Sequence, residues 1–173
     1  LDQAAARQLR LVAPPRIIEA LLAADEAHEP RTAIAPLGDF LDRLSSAQAT
    51  PGGGSVAAVA GALCAALTAM VAGLTVGRER FAADEARMVA LRGRAEALRA
   101  RLEALVQADA EAFAAVMEAY QRPKDGASEA MLRREAIQNA LRTATQVPLD
   151  SLEAVVEAMA AAQEAAAHGN PSA

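Results

Sequence analysis

Apolar side chains recur at Met88, Leu91, Ala95, Leu98, Leu102 and Leu105, and again at Ala112, Val116 and Ala119, while Arg87, Arg92, Arg94, Glu96, Arg99, Arg101 and Glu103 fill the positions between. Steps of three and four match the turn of an α-helix, so the pattern predicts one long amphipathic helix from about Ala83 to Tyr120, ended by Pro123. Ahead of it, Val56–Val76 contains no charge. That stretch has the length of a membrane span, yet it is mostly Ala and Gly, and insertion is driven more by Leu, Ile, Phe and Val. It predicts a central helix buried on all sides and no membrane partner. Gly61, Ala65, Ala69 and Gly73 recur every four residues, a smooth row against which a neighbouring helix or a second copy could pack. Leu37, Phe40, Leu41 and Leu44 predict a short helix, Leu37–Ser45, followed by a polar loop to Thr50. A further helix runs from about Ser128 to Gln146. Pro148 is expected to kink or break it, with Asp150 and Glu153 resembling a capping box for a new start. Gly169-Asn170-Pro171 predicts an αL C-cap at the last helix end. The fold class is all-α: an up-and-down helical bundle around a long central buried helix.

Residues 1–34 do not share this pattern. Two short helical turns around Pro14-Pro15 and a charged stretch from Asp25 to Arg31 cannot bury a core; they read as a tail and linker, with the domain over 35–173. The first residue is Leu1 instead of Met, and the chain reads as a piece of a longer protein. No basic flank precedes an apolar run at the N-terminus, so no signal peptide is expected. The composition agrees with close-packed helices. Of 173 residues 48 are alanine, against three Phe, one Tyr and no Trp, and strands favour aromatic and β-branched types. The single cysteine, Cys64, forms no internal disulfide, which suits a reducing compartment, the cytoplasm. A net charge of −5 without a basic block excludes a general nucleic-acid binder. His28 and His168 have neither the spacing nor the company of a structural zinc site, so no metal is expected.

One position in the long stripe carries the wrong kind of residue. Asp109 lies four after Leu105 and three before Ala112, so a carboxylate occupies a core-facing place. Burying it alone would cost several kcal/mol, on the order of 2–7 for a polar group without a partner. It must find a hydrogen-bond partner such as a helix end or an Arg, take up a proton, or face a ligand-filled cleft. The second feature is Pro51-Gly52-Gly53-Gly54-Ser55, immediately before the apolar helix. Glycines let a ligand reach the main chain, and the first N–H groups of the following helix favour an anionic or carbonyl-bearing group. The alternative is a flexible turn with Ser55 as N-cap. Neither a Walker loop nor a dinucleotide fingerprint is present. Arg78 and Arg80 stand where the apolar helix ends. The helix dipole explains them, and so would a substrate carboxylate bound by Arg78 together with Lys124.

Taken together, Phe40-Leu41, Thr50 to Ala58, Thr75-Val76-Gly77-Arg78, Asp109-Ala110-Glu111-Ala112-Phe113, Arg122-Pro123-Lys124, Val147-Pro148-Leu149 and Gly169-Asn170 resemble the formimidoyltetrahydrofolate cyclodeaminase family. That family includes methenyltetrahydrofolate cyclohydrolases. Leu1 to Ala6 and Pro15 to Glu19 resemble the end of the transferase part of bifunctional formimidoyltransferase-cyclodeaminases, and the chain stops before a final long helix of the family. The resemblance implies a homodimer or higher homo-oligomer that binds polyglutamated folate near the subunit interface. It implies no prosthetic group, with a tetrahydrofolate derivative as substrate. The reaction it implies closes 5-formimidoyltetrahydrofolate to 5,10-methenyltetrahydrofolate with loss of ammonia, in histidine degradation. Asp109 would be the catalytic carboxylate, Gly52, Gly53, Gly54 and Ser55 would hold the pterin or aminobenzoyl part, and Arg78 and Lys124 would face the glutamate tail. Asn170, in the family's Gly-Asn motif, joins the substrate-binding set. The alternatives are a cyclohydrolase and a non-catalytic helical oligomerisation module. The transferase-like tail, Ser55 and Arg78-Glu79-Arg80 favour the cyclodeaminase, since cyclohydrolase relatives tend to carry another Gly and a lysine cluster there.

Overall fold

A computed structural model of the chain describes residues 35–173; the tail and linker read over 1–34 lie outside the described residues. Helix α1 spans Ala35–Ser45, α2 Gly53–Thr75, α3 Glu85–Gln121 and α4 Ala127–His168. A 3-10 turn, Glu79–Asp84, leads into α3. No strand occurs among the described residues. The chain divides into two units between Asp42 and Arg43, and the second holds α2, α3 and α4.

Those three helices run up, down and up. Antiparallel register between α2 and α3 brings Ser55 to Asp109 and Gly61 to Leu102. Between α3 and α4 it brings Arg94 to Glu164 and Arg101 to Glu157. The shared core is Met88, Leu91, Leu98 and Leu102 of α3 against small residues of α2 (Ala58, Ala65, Ala72) and of α4 (Ala154, Ala158, Ala161). Alanine-rich faces let the backbones approach, and leucines from one side fill the space. The predicted stripe is this seam: Met88, Leu91, Ala95, Leu98, Leu102, Ala112 and Ala119 are buried.

Three local expectations change. First, α2 is central but buried on one face only: Ser55, Ala58, Gly61, Ala65, Thr68, Ala72 and Thr75 are inside, while Leu63 and Leu67 are 54% and 59% exposed. Absence of charge does not distinguish faces; here the small residues face inward and the leucines outward. The row Gly61, Ala65, Ala69, Gly73 is not one face, because each step of four overshoots a helical turn by about 40°. Gly61 and Ala65 are buried, whereas Ala69 and Gly73 are only half-buried. Second, α4 passes through Pro148 without a break. Buried Val147, Ser151 and Ala154 anchor the helix on both sides of the proline, and the Ser151 hydroxyl donates to the Val147 carbonyl at 3.0 Å. Asp150 starts no helix; its Oδ1 accepts a bond from Gln146. Third, Gly169 caps α4 in extended conformation, φ −82, not αL. It is a glycine for lack of room, since a Cβ would stand 2.5 Å from the Ala165 carbonyl oxygen and 2.7 Å from Val71 Cγ1.

Pro148 is exposed and forfeits one helical hydrogen bond. Pro148→Ala is therefore expected to stabilise the fold by about 1–2 kcal/mol, part of the full proline penalty being offset by the freer unfolded chain. A chemical-denaturation midpoint that falls would count against this account of α4.

Beyond the first turn of α2, α3 and α4 continue as a two-helix arm. From Asp109 to the end of α3 at Gln121 the arm extends about 18 Å at 1.5 Å per residue.

Candidate active site

Gly52, at the N-cap of α2, brings no side chain to cap the helix, and the first N–H groups of a helix have no acceptor within it. Asp109 supplies one from across the bundle. The Ser55 N–H donates to Asp109 Oδ2 at 2.9 Å, and the Ser55 hydroxyl donates to the same oxygen at 2.8 Å. The Val106 carbonyl, 3.4 Å from that hydroxyl, is the weaker acceptor. The carboxylate thus sits at the positive end of the α2 dipole, where negative charge is favoured. A half-buried acid on an apolar stripe is retained because a helix end 54 residues earlier pays it two hydrogen bonds.

Gly54 makes the approach possible. A Cβ there would overlap Asp109 Oδ1 and stand 2.8 Å from Cγ, whereas one on Gly53 would meet nothing within 4 Å. Oδ2 is committed to Ser55, and Oδ1 lies over Gly54. Around them Gly52, Gly53, Gly54, Asp109, Phe113 and Ala144 line a cleft of about 180 Å³. The glycine loop and the misplaced carboxylate, two features with no sequence relation, are one site.

The remaining predicted residues are elsewhere in the single chain. Asn170 donates its N–H to Thr75 Oγ1 at 2.8 Å, and its Oδ1 accepts the Ser172 N–H at 3.0 Å. Arg78 follows Gly77, whose φ of 75 requires glycine; it is exposed and forms no ion pair among the described residues. Both lie at the C-terminal end of α2, twenty residues or about 30 Å from Ser55. Lys124 is exposed in the turn at the tip of the arm. Ser55 is 1% exposed and turns its hydroxyl to Asp109. Phe113 and Ala144 were not singled out from the sequence. Phe113, four residues after Asp109, could have been found by helical spacing; Ala144 had no signal.

No cluster of three or more His, Cys, Asp or Glu able to hold a metal occurs among the described residues. Fold and site together define an all-helical protein with one oriented carboxylate in a cleft beside a helix N-terminus. The chain belongs to the formiminotransferase-cyclodeaminase family, matched over residues 36–173. It is 43% identical over 131 residues to a methenyltetrahydrofolate cyclohydrolase of Methylorubrum extorquens, covering 76% of this chain and 63% of that protein. It is 42% identical over 157 residues to the formimidoyltransferase-cyclodeaminase of Mus musculus, covering 91% of this chain and 29% of that one. A crystal structure of formiminotetrahydrofolate cyclodeaminase from Thermotoga maritima superposes with a TM-score of 0.65 at 33% identity, covering 78% of this chain and 63% of that one. The chain therefore spans less than two thirds of the length of each.

Proposed function

We propose that this site closes 5-formimidoyltetrahydrofolate to 5,10-methenyltetrahydrofolate with release of ammonia. The observation that carries the reading is the orientation of Asp109: Oδ2 fixed by Ser55, Oδ1 free over Gly54 in the cleft. N10 forms a bond to the carbon of the protonated amidine, whose C=N double bond becomes a single bond to an NH2 group, and Asp109 takes the N10 proton. The same carboxyl group returns that proton to the NH2 nitrogen, whose bond to carbon then breaks as ammonia leaves. One proton is relayed, and the positive charge of the amidinium passes to the methenyl product. The matched stretch with the mouse formimidoyltransferase-cyclodeaminase is 157 residues, longer than 35–173, so it takes in part of 1–34, and that likeness supports the reading. A place in histidine degradation and a cytoplasmic location go with this proposal.

The second reading is hydrolysis of the methenyl compound, favoured by the M. extorquens relative. Asp109 would then take a proton from the water that adds to the same carbon. Mixing the purified chain with each folate and following the methenyl absorbance separates the two. Appearance from the formimidoyl substrate supports the first reading, disappearance without it the second, and no change with either folate sinks both.

Ser55 is a positioning residue in this scheme. Ser55→Ala keeps the N–H bond but loses the hydroxyl, and kcat is expected to fall about tenfold with folate binding unchanged. An altered KM at full kcat would place Ser55 against substrate instead.

We also propose that two copies associate. A 180 Å³ cleft is smaller than the ~300–1,000 Å³ of small-molecule sites, and Arg78 and Asn170 stand about 30 Å away along α2. An antiparallel second copy on the exposed Leu63, Leu67, Met70 and Leu74 face would carry its own Arg78 and Asn170 toward the cleft. Sedimentation at micromolar concentration is expected to give a dimer or larger; a monomer would count against it.

A further inference from the structure

The hydrogen bond that Pro148 forfeits is missing at one particular place. In an α-helix each N–H donates to the carbonyl four residues back, so the donor that proline lacks inside α4 is the one that would pair with the Ala144 carbonyl. A proline ring also crowds that carbonyl and turns it off the helix axis. Nearby side-chain donors are engaged elsewhere. The Thr143 and Thr145 hydroxyls donate to the Asn139 and Leu141 carbonyls, Gln146 donates to Asp150, and the Ser151 hydroxyl donates to Val147.

Ala144 is also where α4 meets the Asp109 cleft, which it lines together with Asp109 and Phe113 of α3. A methyl group brings no polar chemistry to that wall, so what Ala144 can offer a ligand is its carbonyl oxygen. Pro148 is exposed and stands one turn on, about 40° further round the helix. The core side of α4, with Val147, Ser151 and Ala154, lies in the opposite rotational sense. The gap in the hydrogen-bond ladder therefore opens on the side of Ala144 away from the core.

We infer that the Ala144 carbonyl is a second acceptor of the Asp109 cleft, that it receives an N–H of the amidine nitrogen that departs, and that Pro148 is a positioning residue that keeps this carbonyl unpaired. The identity of that nitrogen rests on the proposed function. An amidinium N–H is a charged donor, and its bond to a carbonyl is of the stronger kind. As the C=N bond becomes single, one N–H stays on Ala144, and the nitrogen's new lone pair is left for the proton that Asp109 returns. A carboxylate and a bare carbonyl together select a donor and disfavour another acceptor between them. A proline that lowers stability inside a helix is then retained for what it does to the site.

The test compares 5-formimidoyltetrahydrofolate with 5-formyltetrahydrofolate, in which a carbonyl oxygen replaces that nitrogen. Affinities are measured by titration in Asp109→Asn, where turnover is slow, with and without Pro148→Ala. The formimidoyl compound is expected to bind about tenfold or more tightly than the formyl compound. Pro148→Ala, which gives Ala144 its helical donor, is expected to abolish most of that preference. With Asp109 intact it should lower kcat about tenfold while raising the denaturation midpoint. The α-hydroxy acid analogue of alanine at position 148, an ester with neither N–H nor ring, should restore both the preference and kcat. A preference indifferent to Pro148→Ala, or a hydroxy acid no better than alanine, overturns the inference and leaves the proposed function standing if the unmodified chain cyclises its substrate. No cyclisation by that chain, with the Pro148-dependent preference present, would instead remove the proposed function and leave the acceptor.

Discussion

Asp109→Asn is expected to leave a folded protein that binds folate and cyclises it about 10²–10⁴-fold more slowly, the usual worth of a positioned general acid–base. The amide can still accept from the Ser55 N–H and hydroxyl, the two bonds that hold the carboxylate, so the end of α2 keeps its partner. What disappears is the capacity to take the N10 proton and the charge at the helix dipole. The charge is worth about 0.3–1 kcal/mol, and the melting temperature should fall slightly. Asp109→Ala removes the acceptor altogether and adds the loss of a helix cap, about 1 kcal/mol more. The pair of variants separates chemistry from structure: both inactive, only the alanine clearly destabilised. A near-normal rate in Asp109→Asn would end the proposed mechanism, and a melting temperature as low as that of Asp109→Ala would make the residue a cap alone.

Gly54→Ala should be as damaging as loss of the acid itself. Its Cβ would overlap Oδ1 and press on Cγ at 2.8 Å, and Asp109 is on the rigid interior of α3. Either the carboxylate swings away from Ser55, or α2 and α3 separate locally at a cost of about 1–3 kcal/mol, typical of overpacking. Cyclisation is expected to drop about a hundredfold or more. The control is next door. Gly53→Ala meets nothing within 4 Å and replaces a helical glycine, so it should be neutral or stabilising by about 0.5–1 kcal/mol. Equal effects of the two substitutions on rate would mean that loop flexibility, and not the approach of Asp109, is what the glycines provide.

The sequence by itself determined the helices and the oddity. Periodicity of three and four is written into neighbouring residues, which is why α3 and its buried face from Met88 to Ala119 could be read directly, and why Asp109 stood out as a carboxylate on that face. The glycine run before α2 was equally visible. Family resemblance groups these two features on one substrate, but periodicity and spacing could not say that they touch, because register between antiparallel helices is set by packing: Gly61 seats against Leu102 and Val155, and that seating carries Ser55 to Asp109. Nor could it separate Gly54 from Gly53, which are the same residue in the same loop until a second helix lies over one of them. Pro148 reads locally as a break, and buried neighbours on both sides hold the helix through it. The uncharged run of α2 reads as buried all round because hydropathy carries no direction; the bundle covers its alanines and leaves Leu63 and Leu67 outside. Arg78 and Asn170 are grouped with the loop by family resemblance, while the length of α2 sets them at its opposite end. Local order is a property of the chain, and the site is a property of which helix faces which.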